Sequence, residues 1–172
     1  MAFLCHGCLE HPSGQTQNPC GVAIKKLAGL AQNLETLPGV TRDQIEAFAD
    51  LGKLIPTGQD LGNGFEIGRF RYDAVISMER CPASIAGQLL SFLLIWLSEN
   101  DPDRDLLELA DPDVDVTMED EQTVSVQISV EFDEALIIVE DPTGPISWNG
   151  KKWRVDDVPV DTATVLEKLD KR

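Results

Sequence analysis

The stretch Phe65–Trp96 constrains the fold most, because it joins a long alternating segment to a short and almost wholly apolar one. In Phe65–Met78 the apolar side chains fall mostly at every second position, with charged residues such as Arg69 and Arg71 between them. A period of two places alternate side chains on opposite faces of a sheet. The pattern therefore predicts a strand with one buried face and one wet face.

The second part of this stretch, Ile85–Leu97, is apolar at nearly every position. Pro82 breaks the strand and suits the first turn of a helix, where its missing N–H costs nothing. At about 15 residues the helix is shorter than the roughly 20 that a bilayer requires. A helix that is apolar all round must be covered on more than one side. We expect its own sheet to cover one side, and a neighbouring subunit is a candidate for the other.

Local patterns predict the elements of the first half of the chain. The apolar stripe within Gly21–Thr36 indicates a helix. Thr41–Ile55 is ambiguous, because its start matches a helix capping box whereas its later residues alternate as in a strand; we favour the strand. Thr57–Gly64 has the composition of a turn that leads into the central strand.

The second half begins with an acidic connection, Asn100–Pro112, and continues as strands. The alternation predicts three strands, with the acidic pair Asp133-Glu134 as the turn between the last two. These strands are Val114–Met118, Thr123–Phe132 and Ala135–Glu140. Asn149-Gly150 then predicts a hairpin between Ile146–Trp148 and Lys152–Val155, and a short helix is expected over Thr162–Leu169.

These elements predict an α+β fold with a single, mostly antiparallel sheet and helices packed on one face. The 172 residues suffice for one domain with a proper core. Residues 1–20 are polar and lack periodicity, so we expect an irregular N-terminal arm. Residues 21–172 are expected to form the single domain, which ends in the hairpin and the short helix.

Charge narrows the functional classes. The chain carries 30 acidic and 14 basic residues, which argues against binding nucleic acid through its phosphates. Glu99–Asp141 contains sixteen acids and one base, Arg104. This uneven distribution of charge along the chain suits head-to-tail contact between copies in a ring. A solvated acidic face on a monomer explains it equally well. Neither a signal peptide nor a membrane span is indicated, and the sparse cysteines favour synthesis in a reducing cytoplasm.

One cluster in the arm could bind a metal. Cys5, Cys8, His11 and Cys20 offer sulfur and nitrogen ligands of the type that zinc prefers. Their spacing matches no zinc motif with two paired modules, so idle reduced thiols are the preferred interpretation. We therefore predict no metal and no cofactor, and keep these four residues as the zinc candidates.

Nothing in the sequence indicates catalysis. Both histidines lie within the first eleven residues, and neither a nucleophile elbow nor a glycine-rich phosphate loop is present. We therefore predict that the protein is not an enzyme. Trp148 and Trp153, on the predicted hairpin, are candidate interface residues because tryptophan is enriched among interface anchors. A plain core role for both remains the alternative.

Three segments together resemble the tail-completion protein R family of P2-like bacteriophages. Phe65–Ile76 resembles its central strand, and Leu93–Leu97 with Asn100–Pro102 is similar to the apolar helix and exit turn that follow. Val126–Glu134 is similar to the closing strand of the family. The resemblance covers roughly residues 41–140 and brings no catalytic residues with it.

The resemblance implies a tail terminator: a tail-terminator-like fold that forms a ring, commonly a hexamer, at the head-proximal end of a phage tail. Such a protein stops tube growth and joins the tail to the neck. The implied partners are further copies, the tail tube, a head-side connector and, as a candidate, the sheath; DNA passes through without specific binding, and no membrane is involved. The implied location is the virion tail or neck, after assembly in the host bacterial cytoplasm. Alternatives are another neck protein, either a head-completion protein or a connector, and a zinc-binding protein.

Overall fold

The computed structural model describes residues 24–156, which form two α-helices and one six-stranded antiparallel sheet. The elements are α1 Lys25–Leu34, β1 Ile45–Asp60, β2 Phe65–Pro82, α2 Ala86–Asn100, β3 Asp113–Met118, β4 Thr123–Glu140, β5 Ile146–Trp148 and β6 Lys151–Val155, with 3₁₀ turns at Arg42–Gln44 and Ala83–Ile85. The predicted α+β class is confirmed.

The two longest strands form the centre of the sheet. β2 and β4 pair along almost their whole length, with Tyr72 opposite Phe132 and Ile76 opposite Ile128. β1 pairs with the other side of β2 and forms one edge. On the far side of β4, β3 pairs with its first half, whereas β6 pairs only with its last three residues, Ile138–Glu140.

One face of the sheet and the two helices enclose the core. The alternation predicted for the central strand is confirmed, since Tyr72, Ala74, Ile76 and Met78 are buried. The helices complete the core with an apolar stripe each. These stripes are Leu27, Leu30 and Leu34 of α1, and Leu89, Leu93, Trp96 and Leu97 of α2. The Trp96 ring meets Phe132 edge-on, with ring centroids 6.1 Å apart, and so joins α2 to the middle of β4.

Both patterns at Thr41–Ile55 occur in the structure. The Thr41–Gln44 capping box forms, but it encloses only a 3₁₀ turn, and the favoured strand follows as β1. β1 runs on through Pro56 to Asp60 and leaves Leu61–Gly64 as the turn, which is shorter than predicted. A proline is tolerated there because β1 is an edge strand with one unpaired side.

The predicted end of the central strand at Pro82 is confirmed, but two other details of the prediction are wrong. Pro82 has ψ of 129° and is the last residue of β2 rather than part of the first helical turn. Asp133 and Glu134 do not form a turn, because β4 is continuous from Thr123 to Glu140. An acidic pair in mid-strand is tolerated here because partners from distant parts of the chain bind both carboxylates.

The Asn-Gly hairpin is confirmed. Asn149 and Gly150 have φ of 51° and 75°, the left-handed conformation that a two-residue hairpin of this type requires. The arm of residues 1–20 and the helix expected at Thr162–Leu169 lie outside the described residues. The single-domain organisation of residues 21–172 stays a prediction.

Candidate assembly surfaces and the ionic network beneath them

The side chain of Asp133 is buried although it points to the sheet face that no helix covers. Two arginines of β2 bind it, with Arg69 Nε 2.6 Å from Oδ1 and Arg71 Nη2 3.1 Å from Oδ2. Arg71 Nη2 also donates to the Leu107 carbonyl at 3.3 Å. Register explains the contact, because Arg71 lies directly opposite Asp133. The pair therefore joins the centre of the sheet to the acidic connection after α2.

Glu134 lies on the opposite face and caps α1. Its carboxylate accepts the backbone N–H groups of Lys25 at 2.9 Å and Lys26 at 3.2 Å, and the Tyr72 hydroxyl at 2.5 Å. Ile24, at the N-cap position, has no side-chain oxygen to do this. The free N–H groups and the dipole at a helix N-terminus favour a carboxylate. Glu134 thereby positions the start of α1.

Lys26 connects α1 to the end of α2. Its ammonium lies 2.6 Å from Asp101 Oδ1 and donates to the Asp133 carbonyl at 3.1 Å. Asp101 also binds Arg104, at 2.9 Å from Oδ2. Arg104 further donates to the Ala110 carbonyl. The acidic connection is therefore held against the helices and the sheet.

The network changes the interpretation of the acidic segment. Three of its sixteen acids, Asp101, Asp133 and Glu134, are buried with bound partners. Sequence reasoning missed these roles. The alternating basic residues of β2 could have indicated them. A buried cation on one strand requires an anion on the neighbouring strand.

One face of α2 is apolar and exposed. Leu90, Leu94 and Ile95 are 39%, 63% and 58% exposed, whereas the opposite face lies in the core. The sequence prediction that one side of this helix lies on its own fold is confirmed. Within residues 24–156 nothing covers the other side. We call Gly87, Leu90, Ser91, Leu94, Ile95 and Ser98 the outer face of α2.

A second apolar surface lies between α1 and the edge strand β1. A groove of about 490 Å³ runs there. Its apolar lining is mainly small: Ile24, Leu27, Ala28, Ala31 and Ala47. Gln32, Glu35 and Arg42 form its polar part. We call this the α1–β1 groove. Small side chains make it wide enough to accept larger ones.

The two predicted interface tryptophans lie together at one end of the sheet. Their ring centroids are 5.6 Å apart, and that of Trp148 is 5.0 Å from Phe65. Trp153 Nε1 donates to the Trp148 carbonyl at 3.0 Å. Trp148 is 37% exposed, and neither ring belongs to the buried core cluster. The hairpin therefore presents an aromatic patch made of Phe65, Trp148 and Trp153.

The sheet face opposite the helices is mainly polar, although Phe48, 46% exposed, lies opposite Val75 between its two polar rows. Asp50, Asp73 and Glu131 lie directly opposite one another on β1, β2 and β4. A second row joins Glu46, Ser77, Gln127 and Asp115 across four strands. Like charges that face each other on adjacent strands destabilise a sheet. Asp50 and Glu131 each accept a backbone N–H group, from Leu51 at 2.8 Å and from Ala110 at 2.9 Å, so the unfavourable repulsion is centred on Asp73.

The zinc candidates Cys5, Cys8, His11 and Cys20 lie outside the described residues. Among residues 24–156, no group of three or more histidine, cysteine or acidic side chains is arranged to hold a metal ion. No helix in this part of the chain is both long and apolar enough to cross a membrane.

Comparison with known proteins identifies relatives among phages. The sequence model of the family described as "P2 phage tail completion protein R (GpR)" matches residues 24–157. The chain is also 28% identical over 137 residues to an "Uncharacterized 19.2 kDa protein in rep-hol intergenic region" of Haemophilus phage HP1 (strain HP1c1). That match covers 78% of this chain and 82% of the relative. No solved structure matches.

Proposed function

The chain belongs to the P2 phage tail completion protein R family, and we propose that it acts there as a terminator. In this role it forms a ring, hexameric in the simplest case, at the head-proximal end of the tail. The ring stops growth of the tail tube and joins the tail to the neck. The observation that carries the proposal is the outer face of α2, which residues 24–156 of one copy leave exposed.

The composition of this face supports self-association. Leu90, Leu94 and Ile95 are exposed on α2, whose only charged residue is Glu99 in its last turn, in a chain of net charge −16. Each large apolar side chain removed from water contributes up to about 1.5–3 kcal/mol. A contiguous apolar surface of this kind is typical of an interface. Repetition of one such contact around a closed ring would cover it in every copy.

The aromatic patch is the proposed contact with the tail tube or with the connector on the head side. Trp148 and Trp153 present partly exposed rings on a short hairpin, and tryptophan often anchors protein interfaces. Lys151, Lys152 and Arg154 flank them in the sequence, and Lys151 and Arg154 pair with Glu140 and Asp141, so a neutral partner surface fits best. The sheath is a further candidate partner.

The polar sheet face is the proposed lining of the ring. Its row of three carboxylates, Asp50, Asp73 and Glu131, costs stability in the isolated sheet. A surface rich in carboxylates offers phosphates no counterion-release gain, so DNA could slide past it without binding. A ring structure in which this face points outward would contradict the assignment.

The proposal includes no catalysis and no cofactor, and it assigns the protein to the virion tail. A zinc-binding protein based on Cys5, Cys8, His11 and Cys20 is the competing idea. Elemental analysis of the purified full chain distinguishes the two. Stoichiometric zinc would favour the competing idea, and its absence would remove it.

Electron microscopy of phage particles made without the gene tests the function. We expect tails of irregular length that do not join heads, and normal tails when the gene is supplied in trans. Gel filtration with purified partners separates the role from other neck roles. A terminator binds the ends of tail tubes, whereas a head-completion or connector protein binds the portal. Normal tail length without the gene would refute the terminator role.

A further inference from the structure

We propose that the outer face of α2 in one copy docks into the α1–β1 groove of the next copy. This inference rests on the proposed ring and specifies its subunit contact. The two surfaces differ in shape in a way that suits them to each other. Leu90 and Leu94 project from the helix, whereas Ala28, Ala31 and Ala47 leave space in the groove.

The two serine hydroxyls on the outer face of α2 form hydrogen bonds within the helix. The Ser91 hydroxyl donates to the Gly87 carbonyl at 2.9 Å, and the Ser98 hydroxyl donates to the Ile95 carbonyl at 2.7 Å. Both donors are thus satisfied within the helix. Desolvating these two hydroxyls therefore leaves neither of them without a hydrogen-bond acceptor, and so avoids the usual cost of burying a hydroxyl.

Charge favours the groove over a second α2 as the occupant. Glu99 lies at the end of α2, and the exposed Asp103 and Asp105 follow it. Two copies that paired through α2 would bring these acids near each other, and like charges across an interface weaken binding. The groove differs, because its two charged lining residues, Glu35 and Arg42, pair with each other at 3.2 Å. The acidic end of α2 therefore meets a groove without excess negative charge rather than a second acidic end.

The positions of the two surfaces make the contact head-to-tail. The groove lies on the β1 side of α1. α2 lies towards β4, where Trp96 contacts Phe132. Because the surfaces are distinct, each copy can use both at once. A heterologous contact of this kind produces a ring when its rotation closes.

Two blocking variants of the full chain test the contact. Leu94→Glu places a charge on the outer face of α2, and Ala28→Trp fills the groove. We expect each variant alone to be monomeric by light scattering after gel filtration, with association weakened at least about tenfold. A one-to-one mixture should give a dimer and no ring, because the intact helix of A28W enters the intact groove of L94E.

Matched controls keep the test specific. Leu106→Glu changes a leucine that is 83% exposed and lies outside the α2 face, and Asn33→Trp changes an exposed α1 residue that does not line the groove. Both controls should assemble like wild type. Circular dichroism should show that all four variants are folded.

Each other outcome counts against the inference. An A28W protein that assembles while L94E does not would indicate pairing through α2. Variants that assemble normally but fail to bind tails would assign α2 to a tail partner. An L94E ring with lowered thermal stability would mean that the chain's own terminal segment covers α2. If the wild type forms a ring and both blocking variants form it too, only this contact is refuted. If the wild type neither assembles nor binds tails, the proposed function is refuted as well.

Discussion

The hydroxyl of Tyr72 donates a 2.5 Å hydrogen bond to the carboxylate of Glu134 inside the core. This bond links β2 to β4 at the point where Glu134 also receives the first backbone N–H groups of α1. One carboxylate thus holds two strands and a helix together. The packing of α1 on the sheet, and with it the α1–β1 groove, depends on the Glu134 carboxylate.

Tyr72 should resist ionisation until the protein unfolds. Burial, together with the hydrogen bond to Glu134 and its charge, raises the pKa of the Tyr72 hydroxyl. Because the folded pKa lies above the unfolded value, the stabilising contribution is complete below about pH 10 and is lost as the pH rises further. Tyr72 is the only tyrosine in the chain, so absorbance at alkaline pH reports on it alone. A tyrosine titration near pH 10 with the fold intact would contradict the buried bond.

Glu134→Ala should destabilise the fold strongly. The change leaves the Tyr72 hydroxyl and the N–H groups of Lys25 and Lys26 without their acceptor, which we expect to cost about 3 kcal/mol. Glu134→Gln keeps one acceptor oxygen and should cost less. Urea unfolding followed by circular dichroism measures both. Equal stability of the two variants would show that the cap does not act through hydrogen bonds.

Asp133→Ala should cost about 2–4 kcal/mol, because it leaves the partly buried Arg71 without its anion and Arg69 with only Glu66, 3.7 Å away. The control is Asp105→Ala, which removes an exposed acid from the same acidic segment. That control should change the free energy of unfolding by less than about 0.5 kcal/mol. A similar small effect at both sites would show that the acids of this segment are interchangeable.

Asp73→Asn should stabilise an isolated subunit. Asp73 lies directly between Asp50 and Glu131 in the row of carboxylates, and neutralising it removes two repulsive cross-strand pairs. We expect a gain of about 0.5–1 kcal/mol, smaller at high salt because salt screens exposed charges. Thermal unfolding at low and high salt measures it. A loss of stability that is independent of salt would refute the repulsion.

Gly144→Ala should loosen the aromatic patch. A Cβ at this position would lie 2.2 Å from the Trp153 carbonyl oxygen, which is backbone and cannot simply rotate away. We expect the hairpin to shift and its tryptophans to become more accessible to a fluorescence quencher. Pro142→Ala, at an exposed position of the same turn, is the control and should leave quenching unchanged. Unchanged quenching in both variants would contradict the close contact.

Several elements could be predicted because their causes are local. The alternation in Phe65–Met78, the apolar run that became α2 and the Asn-Gly turn each act within a few residues. The pair Asp133-Glu134 was misassigned for the same reason. In most sequences two adjacent acids are favourable in a turn and unfavourable inside a strand, and nothing nearby in the chain indicated otherwise.

The sequence by itself determined where most helices and strands lie and which face of the central strand is apolar, because periodicity depends on side chains close together in the chain. Only the tertiary structure decided which charges are buried and which apolar surfaces remain open. Lys26, Arg69 and Arg71 reach Asp133 from 62 to 107 residues away. Packing likewise exposes Leu94 while it buries Leu93. Both outcomes depend on where distant elements meet, and no local pattern contains that information.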